Sequence, residues 1–130
     1  MQEDSNMLSH VSIGVKDLAK ARGFYDAALK PLGYTCLVEG GEYAGYGAKT
    51  PELWLLAAKQ PVAPNEASGL HFCFDAGSRS AVDSFHAAAL KTGGRDNGKP
   101  GLRADYGENY YAAFVVDPDG YRLEAYTGAK

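Results

Sequence analysis

The stretch SHVSIGVKDLAKARGFYDAALKPLG, residues 9–33, decides the fold of this chain, because its pattern returns 61 positions later. In that register His10 aligns with His71, and the tetrapeptide AALK of residues 27–30 occurs again at residues 88–91. Several matches at one fixed spacing indicate an internal duplication. Each copy therefore carries a histidine at the same place.

The first copy predicts a strand followed by a helix. Val11, Ile13 and Val15 alternate with less apolar residues, which is typical of a half-buried strand. Residues 16–30 carry apolar side chains at helical spacing, and Asp17 is a candidate N-cap. Three more strands are predicted downstream, at residues 34–38, 43–47 and 52–58. The first copy therefore has the order strand, helix, strand, strand, strand.

The second copy predicts a similar order with one difference. A strand at residues 70–75 precedes a helix that Ser78 or Ser80 can cap. Residues 95–108 are glycine-rich and polar, which predicts a mobile loop in place of a strand. Two strands follow this loop, at residues 109–116 and 121–127, with the tight turn Asp117-Pro118-Asp119-Gly120 between them.

Residues 60–68 contain prolines and polar residues without periodicity, so we interpret them as a linker. They divide a single domain into module one, residues 8–59, and module two, residues 69–127. The chain has 130 residues, of which 45% are hydrophobic and 22% charged. This composition is typical of a globular domain, and the predicted fold class is α+β.

The charge and hydropathy patterns exclude several classes of protein. The net charge is −3 and no basic patch stands out, so we expect no nucleic-acid partner. No apolar run approaches the roughly 20 residues of a membrane span. Met1–Asn6 is polar and acidic, and we expect no signal peptide there. Cys36 and Cys73 lie in apolar runs and are predicted to be buried thiols, with one bridge between them left open. Together these features predict a cytoplasmic protein.

Strand alternation places three potential metal ligands on equivalent faces. His10 and His71 lie on the less apolar face of the first strand of each copy, and Glu124 lies on the corresponding face of the last strand. If these faces turn inward, the two imidazoles and the carboxylate converge. Such a set binds a divalent metal such as Zn, Ni, Mn or Fe. The alternative is that these are ordinary polar residues in a chain that binds no metal.

The duplicated plan, a histidine at the start of each module and the closing run DPDGYRLE of residues 117–124 resemble the vicinal oxygen chelate superfamily. That superfamily includes glyoxalase I, extradiol dioxygenases, fosfomycin and bleomycin resistance proteins, and methylmalonyl-CoA epimerase. Small bacterial glyoxalase-family proteins are the most similar in pattern. The resemblance implies two tandem βαβββ modules that form a cupped mixed sheet around a cleft, the glyoxalase/bleomycin resistance/dioxygenase fold. It also implies a homodimer, with each cleft either within one chain or shared between two.

In that family the metal is held at four strand positions, and His10, His71 and Glu124 match three of them. The remaining position falls near Trp54, although Glu52 has the same parity and is acidic. With Trp54 at that position, the site would have three ligands, as in the dioxygenases and the fosfomycin enzymes. The resemblance therefore implies a divalent metal ion held by two histidines and one glutamate.

Aromatic and basic residues around the expected cleft are candidates for binding a small-molecule substrate. The tyrosines can form a pocket wall that orients a planar or apolar ligand, and an arginine can bind a carboxylate or phosphate. The competing interpretation is that these side chains fill strands or lie on the surface. For His86 on the second helix we expect either surface exposure or helix packing. The candidates are Trp54, Arg103, Tyr106, Tyr111, Arg122 and Tyr126.

The resemblance implies a metal-dependent lyase or isomerase of glyoxalase type that chelates two adjacent oxygens of its substrate. The metal stabilises an enolate or alkoxide, and Glu124 is the catalytic candidate, either as a ligand or as a base. Two alternatives stay open: a non-catalytic binder that sequesters an aromatic antibiotic, as the bleomycin resistance proteins do, and an Fe(II) extradiol dioxygenase. Metal content distinguishes the binder from the enzymes.

Overall fold

A computed structural model describes residues 7–130; the polar segment 1–6, for which we expected no signal peptide, lies outside the described residues. The described chain contains two α-helices and eight β-strands, with short 3₁₀ turns at Lys30–Leu32 and Glu66–Ser68. In chain order the elements are β1 (Val11–Val15), α1 (Leu18–Leu29), β2 (Thr35–Glu39), β3 (Tyr43–Gly47), β4 (Leu53–Ala57), β5 (His71–Asp75), α2 (Arg79–Lys91), β6 (Arg95–Leu102), β7 (Tyr111–Val116) and β8 (Arg122–Thr127).

The strands form two four-stranded sheets of identical topology. The strand orders are β1-β4-β3-β2 and β5-β8-β7-β6. In each sheet the first and last strands of a module pair in parallel, and the other pairs are antiparallel. This arrangement confirms the predicted α+β fold class and the two βαβββ modules that the family resemblance implied. It also leaves β1 and β5 as edge strands.

The two helices pack against each other, and each also covers one face of the sheet of its own module. Asp17 caps α1 by accepting a hydrogen bond from the Lys20 amide, and Ser78 caps α2 through the Ala81 amide. Phe24 and Phe85, which are equivalent in the two copies, are fully buried. Since burial of a large aromatic side chain stabilises a fold by several kcal/mol, these helices supply much of the core. The opposite face of each sheet is not covered by a helix.

Strand β6 corrects the prediction of a mobile loop at residues 95–108. Eight of those residues form β6, five of them pair directly with residues of β7, and the register shifts between Asp96 and Gly98 and again between Gly98 and Gly101. Gly98 has a φ of +153°, and a Cβ there would lie 2.9 Å from the Phe114 ring. Bulges of this kind require glycine. The glycine content that favoured a loop prediction therefore belongs to a bulged edge strand.

The two modules are joined through the turn that precedes β8. The Tyr121 hydroxyl donates to the Gly14 carbonyl at 2.7 Å, and Asp119 Oδ2 accepts from the Lys16 amide at 2.9 Å. Asp117, which is 2% exposed, accepts a hydrogen bond from the Tyr25 hydroxyl on α1. The Asp-Pro-Asp-Gly segment therefore forms a tight turn and also fixes one module against the other.

The prediction of buried cysteines is wrong. Cys36 is half-buried, Cys73 is exposed, and both are free thiols, so they form no bridge. Both belong to edge strands, β2 and β5, and an edge strand leaves one side of its residues open to solvent. Neither helix in the described part of the chain has the length and apolar character that a membrane span requires.

Candidate functional site

The second sheet brings two of the predicted ligands to one face. Cys73 of β5 pairs in register with Glu124 of β8, and His71 pairs with Arg122. Since side chains alternate along a strand, His71, Cys73 and Glu124 project from the same face. The residues between them, Phe72 and Leu123, turn to the opposite face and pack in the core. The polar set therefore lies on the helix-free face of the sheet.

Glu124 is the centre of this group. It is 3% exposed, and a carboxylate at that depth requires hydrogen-bonding partners. Its Oε1 lies 2.9 Å from His71 Nε2, and its Oε2 accepts a hydrogen bond from the Tyr110 hydroxyl. The Cys73 thiol is also placed against the carboxylate. Glu124 is thus held between an imidazole, a phenol and a thiol.

Two neighbours of Glu124, Cys73 and Tyr110, stay protonated at neutral pH. Burial of the sulfur and the nearby Glu124 charge raise the pKa of the Cys73 thiol to about 12, although the residue as a whole is exposed. Burial and the hydrogen bond to Glu124 also raise the pKa of Tyr110 above its ordinary value. The Tyr110 hydroxyl is therefore a donor to the carboxylate, whereas the hydrogen bond of the Cys73 thiol goes to the Phe74 carbonyl at 4.0 Å. Cys73 is a poor candidate for a nucleophile, because only a thiolate attacks efficiently.

Aromatic rings lie on two sides of Glu124. On one side the Tyr110 ring is 4.2 Å from the Tyr126 ring and 5.2 Å from the Tyr106 ring. On the other side the His71 ring stacks on Phe114 at 6.2 Å, and Arg103 lies over the same Phe114 ring at 5.3 Å. We call these the tyrosine wall and the Phe114 wall. They give the site an apolar lining around one buried carboxylate.

His10 is not part of this group in a single chain. It precedes β1, and its Nδ1 is 3.0 Å from the Ser9 hydroxyl. His10 and His71 do line one cavity of about 740 Å³ between the two modules. Across residues 7–130, however, no three His, Cys, Asp or Glu side chains are close enough together to hold a metal ion. One chain therefore unites only the His71–Glu124 part of the predicted set.

The strand register shows which residue of module one is equivalent to Glu124. Ser12 is the counterpart of Cys73 in the duplication, and Ser12 pairs with Trp54 just as Cys73 pairs with Glu124. Trp54 therefore occupies the position of module one that is equivalent to Glu124, and its indole has no atom suited to binding a metal. Glu52 lies before β4, beside His10, where its carbonyl accepts from the Val11 amide.

The His71–Glu124 pair fits a divalent cation. Imidazole nitrogen and carboxylate oxygen are ligands for Zn, Ni, Mn and Fe, and adjacent ligand atoms of one such ion lie about 3 Å apart. The two ligand atoms here are 2.9 Å apart. Hydrogen bonds to the ligating carboxylate, as Tyr110 provides, are usual in metal sites. The pair can supply two ligands, and a third must come from elsewhere.

The other predicted site residues divide between the two faces of the sheet. Tyr106 and Tyr126 belong to the tyrosine wall, Arg103 to the Phe114 wall, and Arg122 lies beside His71 with its guanidinium donating to the Gly120 carbonyl. Tyr111 does not join them, because its hydroxyl donates to Asp83 of α2. Tyr110 is not among the candidates that the sequence predicts for substrate binding. Its position immediately before β7, with a parity opposite to that of Tyr111, was the available signal.

His86 has a structural role, as expected. It is 8% exposed, and its Nε2 lies 2.8 Å from Asp96 Oδ1. The hydrogen bond to His86 lowers the pKa of Asp96, and the Gly98 amide adds to this effect. The contact joins α2 to the bulged strand β6.

We expect Asp96→Asn to destabilise the protein at neutral pH but not in acid. A lowered carboxyl pKa stabilises the fold above the ordinary aspartate value, and this contribution is lost as the pH falls through the folded-state pKa. The difference in unfolding free energy between wild type and Asp96→Asn should therefore shrink below about pH 4. Urea unfolding of both proteins between pH 3 and 7 measures it. A difference that does not change with pH would contradict this expectation.

Comparisons with known proteins agree with this architecture. The Glyoxalase/Bleomycin resistance protein/Dioxygenase superfamily pattern matches residues 7–125. A glyoxalase/bleomycin resistance protein from Albidiferax ferrireducens is 32% identical, with a TM-score of 0.80 over 93% of this chain and 98% of that one. A search of curated proteins gave no match.

Two more distant structures share the fold. A glyoxalase-related enzyme from Fulvimarina pelagi is 15% identical, with a TM-score of 0.73 over 94% of this chain and 88% of that one. The fosfomycin resistance protein FosX from Listeria monocytogenes is 16% identical, with a TM-score of 0.70 over 97% of this chain and 96% of that one. At these identities the similarity concerns the fold alone.

Proposed function

The chain belongs to the glyoxalase/bleomycin resistance protein/dioxygenase superfamily, and on that premise we propose that it is a divalent-metal-dependent lyase or isomerase acting on a small oxygenated substrate. The observation that carries the proposal is the 2.9 Å contact between His71 Nε2 and Glu124 Oε1. This contact places an imidazole nitrogen and a carboxylate oxygen at a distance that suits two ligands of one metal ion. The aromatic walls on both sides support a small-molecule cleft.

His71 and Glu124 would hold the metal, with His10 as the third ligand. The metal, when bound, supplies Lewis acidity to substrate oxygens. Glu124 is the group that can accept a proton at Oε1 or Oε2, and the Tyr110 hydroxyl donates to the carboxylate. The tyrosine wall and the Phe114 wall exclude water from this carboxylate, which strengthens electrostatic interactions there.

We propose that His10 comes from a second copy of this chain, so that the protein is a homodimer. The helix-free faces of both sheets are uncovered within one chain, and module one exposes apolar side chains there: Tyr43 is 41% and Leu56 40% exposed. Trp54 lies on the same face, with its ring 6.2 Å from that of Tyr43. A second copy that places this face opposite Glu124 would cover both surfaces and bring His10 to the pair.

The cytoplasmic location stays a prediction.

Metal analysis of the purified protein tests the proposal. We expect near-stoichiometric Zn, Ni, Mn or Fe in the wild type and almost none in His71→Ala, because loss of one of three ligands removes much of the binding energy. His86→Gln is the matched control, since His86 contacts Asp96 and not Glu124. Elemental analysis after dialysis against each metal gives the readout. A wild-type protein that binds none of the four metals would contradict the proposal of a metal-dependent enzyme.

A non-catalytic binder is the second candidate. Two features favour a binder: the tyrosine wall, and an aromatic residue, Trp54, at the position equivalent to Glu124. Stacked aromatic side chains can bind planar ligands without a metal. The same measurement separates the candidates: this binder would contain no metal and would bind an aromatic ligand. An Fe(II) dioxygenase would instead contain iron and consume oxygen with a catechol.

A further inference from the structure

Tyr110 is held in place from several directions. The Arg103 amide donates to the Tyr110 carbonyl at 2.8 Å, which closes residues 103–110 into a compact loop. The Arg103 guanidinium donates to the Gly101 and Lys99 carbonyls and lies over Phe114. The Tyr110 ring packs on Tyr126 at 4.2 Å. The hydroxyl is therefore delivered to Glu124 by an ordered loop.

The two oxygens of Glu124 have different partners. Oε2 accepts from the Tyr110 hydroxyl, and Oε1 lies 2.9 Å from His71 Nε2. A carboxylate bound at one oxygen by a fixed donor loses rotational freedom, so its other oxygen is presented in one direction. Between the two neighbouring O–H and S–H groups, Tyr110 is the stronger hydrogen-bond donor, because a thiol such as that of Cys73 donates only weakly.

We propose that Tyr110 is a positioning residue, whose hydroxyl holds Oε2 of Glu124 so that Oε1 stays turned toward His71 and binds a divalent cation more tightly. The inference rests on the proposed function and deepens it, since it assigns to a loop residue the control of cation affinity at the His71–Glu124 pair. Tyr110 acts through Glu124 and need not touch the substrate.

Tyr110→Phe tests this role, because it removes one oxygen and keeps the ring that packs on Tyr126. Outer partners of a ligating side chain typically change metal affinity 10- to 100-fold, so we expect a loss of roughly that size. Tyr111→Phe is the matched control: Tyr111 also donates to a carboxylate, that of Asp83, but on the helix side of β7. Isothermal titration with Mn²⁺ gives the affinities of all three proteins.

The Co²⁺ absorption spectrum provides a second readout that a purely structural role would not change. Tyr110→Phe should alter the ligand-field bands, because the carboxylate is no longer fixed, while the thermal midpoint stays near that of Tyr111→Phe. Equal or tighter Mn²⁺ binding by Tyr110→Phe, beside a wild type that binds, would overturn this inference alone. No binding by the wild type would overturn the proposed function and the inference together.

Discussion

Replacing Asp117 by alanine is expected to lower the free energy of unfolding by about 3–5 kcal/mol. Asp117 is 2% exposed, and its carboxylate accepts hydrogen bonds from the Tyr25 hydroxyl and from the Asp119 and Tyr121 amides. Alanine leaves these three donors without an acceptor, and each unsatisfied buried donor costs about 1–3 kcal/mol before relaxation. The effect is large because one side chain joins α1 to the turn before β8.

Urea unfolding of Asp117→Ala, Asp117→Asn and Asp105→Ala measures this contribution. Asparagine keeps an acceptor oxygen for the two amides, so Asp117→Asn should lose less stability than Asp117→Ala. Asp105 is an exposed aspartate of the 103–110 loop, and its removal should change stability by less than about 0.5 kcal/mol. If Asp117→Ala unfolded at the same urea concentration as Asp105→Ala, the proposed anchoring of α1 would be wrong.

Asp117 shows which features of the fold can be predicted from local sequence and which cannot. Pro118 and Gly120 predict a turn from backbone preferences alone, and the turn is present, with the Gly120 amide donating to the Asp117 carbonyl at 2.9 Å. The role of the Asp117 side chain was not predictable in the same way. Its partner Tyr25 lies 92 residues away in sequence, and no local pattern specifies a contact of that range.

Regular alternation along the strands allowed the module topology to be predicted, and its absence in β6 explains why that strand was not predicted. Periodicity identifies a strand through alternating burial, and β1 and β5 show it clearly. Strand β6 is bulged at Gly98 and forms the edge of its sheet, so its side chains do not alternate regularly. Composition then favoured a loop, although backbone pairing with β7 determines the structure there.

The candidate site was predictable to the extent that it depends on strand parity. Parity places His71 and Glu124 on one face, and the structure brings them into contact. Tyr110 lies in a loop, where parity gives no direct information, and only the fold shows its hydroxyl on Glu124. The position of His10 depends on how modules combine, which strand patterns do not encode. That question requires an experiment on two copies of the chain.

Mixing the His10→Ala and His71→Ala variants is expected to restore about one quarter of the metal sites that either variant lacks alone. In the proposed dimer each cleft takes His10 from one copy and His71 with Glu124 from the other. A heterodimer of the two variants then has one cleft with both histidines and one with neither. Since random exchange at equal concentrations makes about half of the dimers mixed, a quarter of all clefts are intact.

The experiment unfolds the two variants together, refolds them and measures bound metal at a concentration that leaves each variant empty. A reciprocal control mixes the wild type with a His10→Ala/His71→Ala double variant. In a shared cleft every mixed dimer has two defective sites, so occupancy falls from about one half in the unmixed sample to about one quarter. A cleft within one chain gives the opposite pair of results: the single variants stay empty on mixing, and the control keeps its half. In a shared cleft, mixing raises the metal occupancy of the single variants and lowers that of the control. Incomplete refolding would lower both occupancies, so it cannot produce this pair of results.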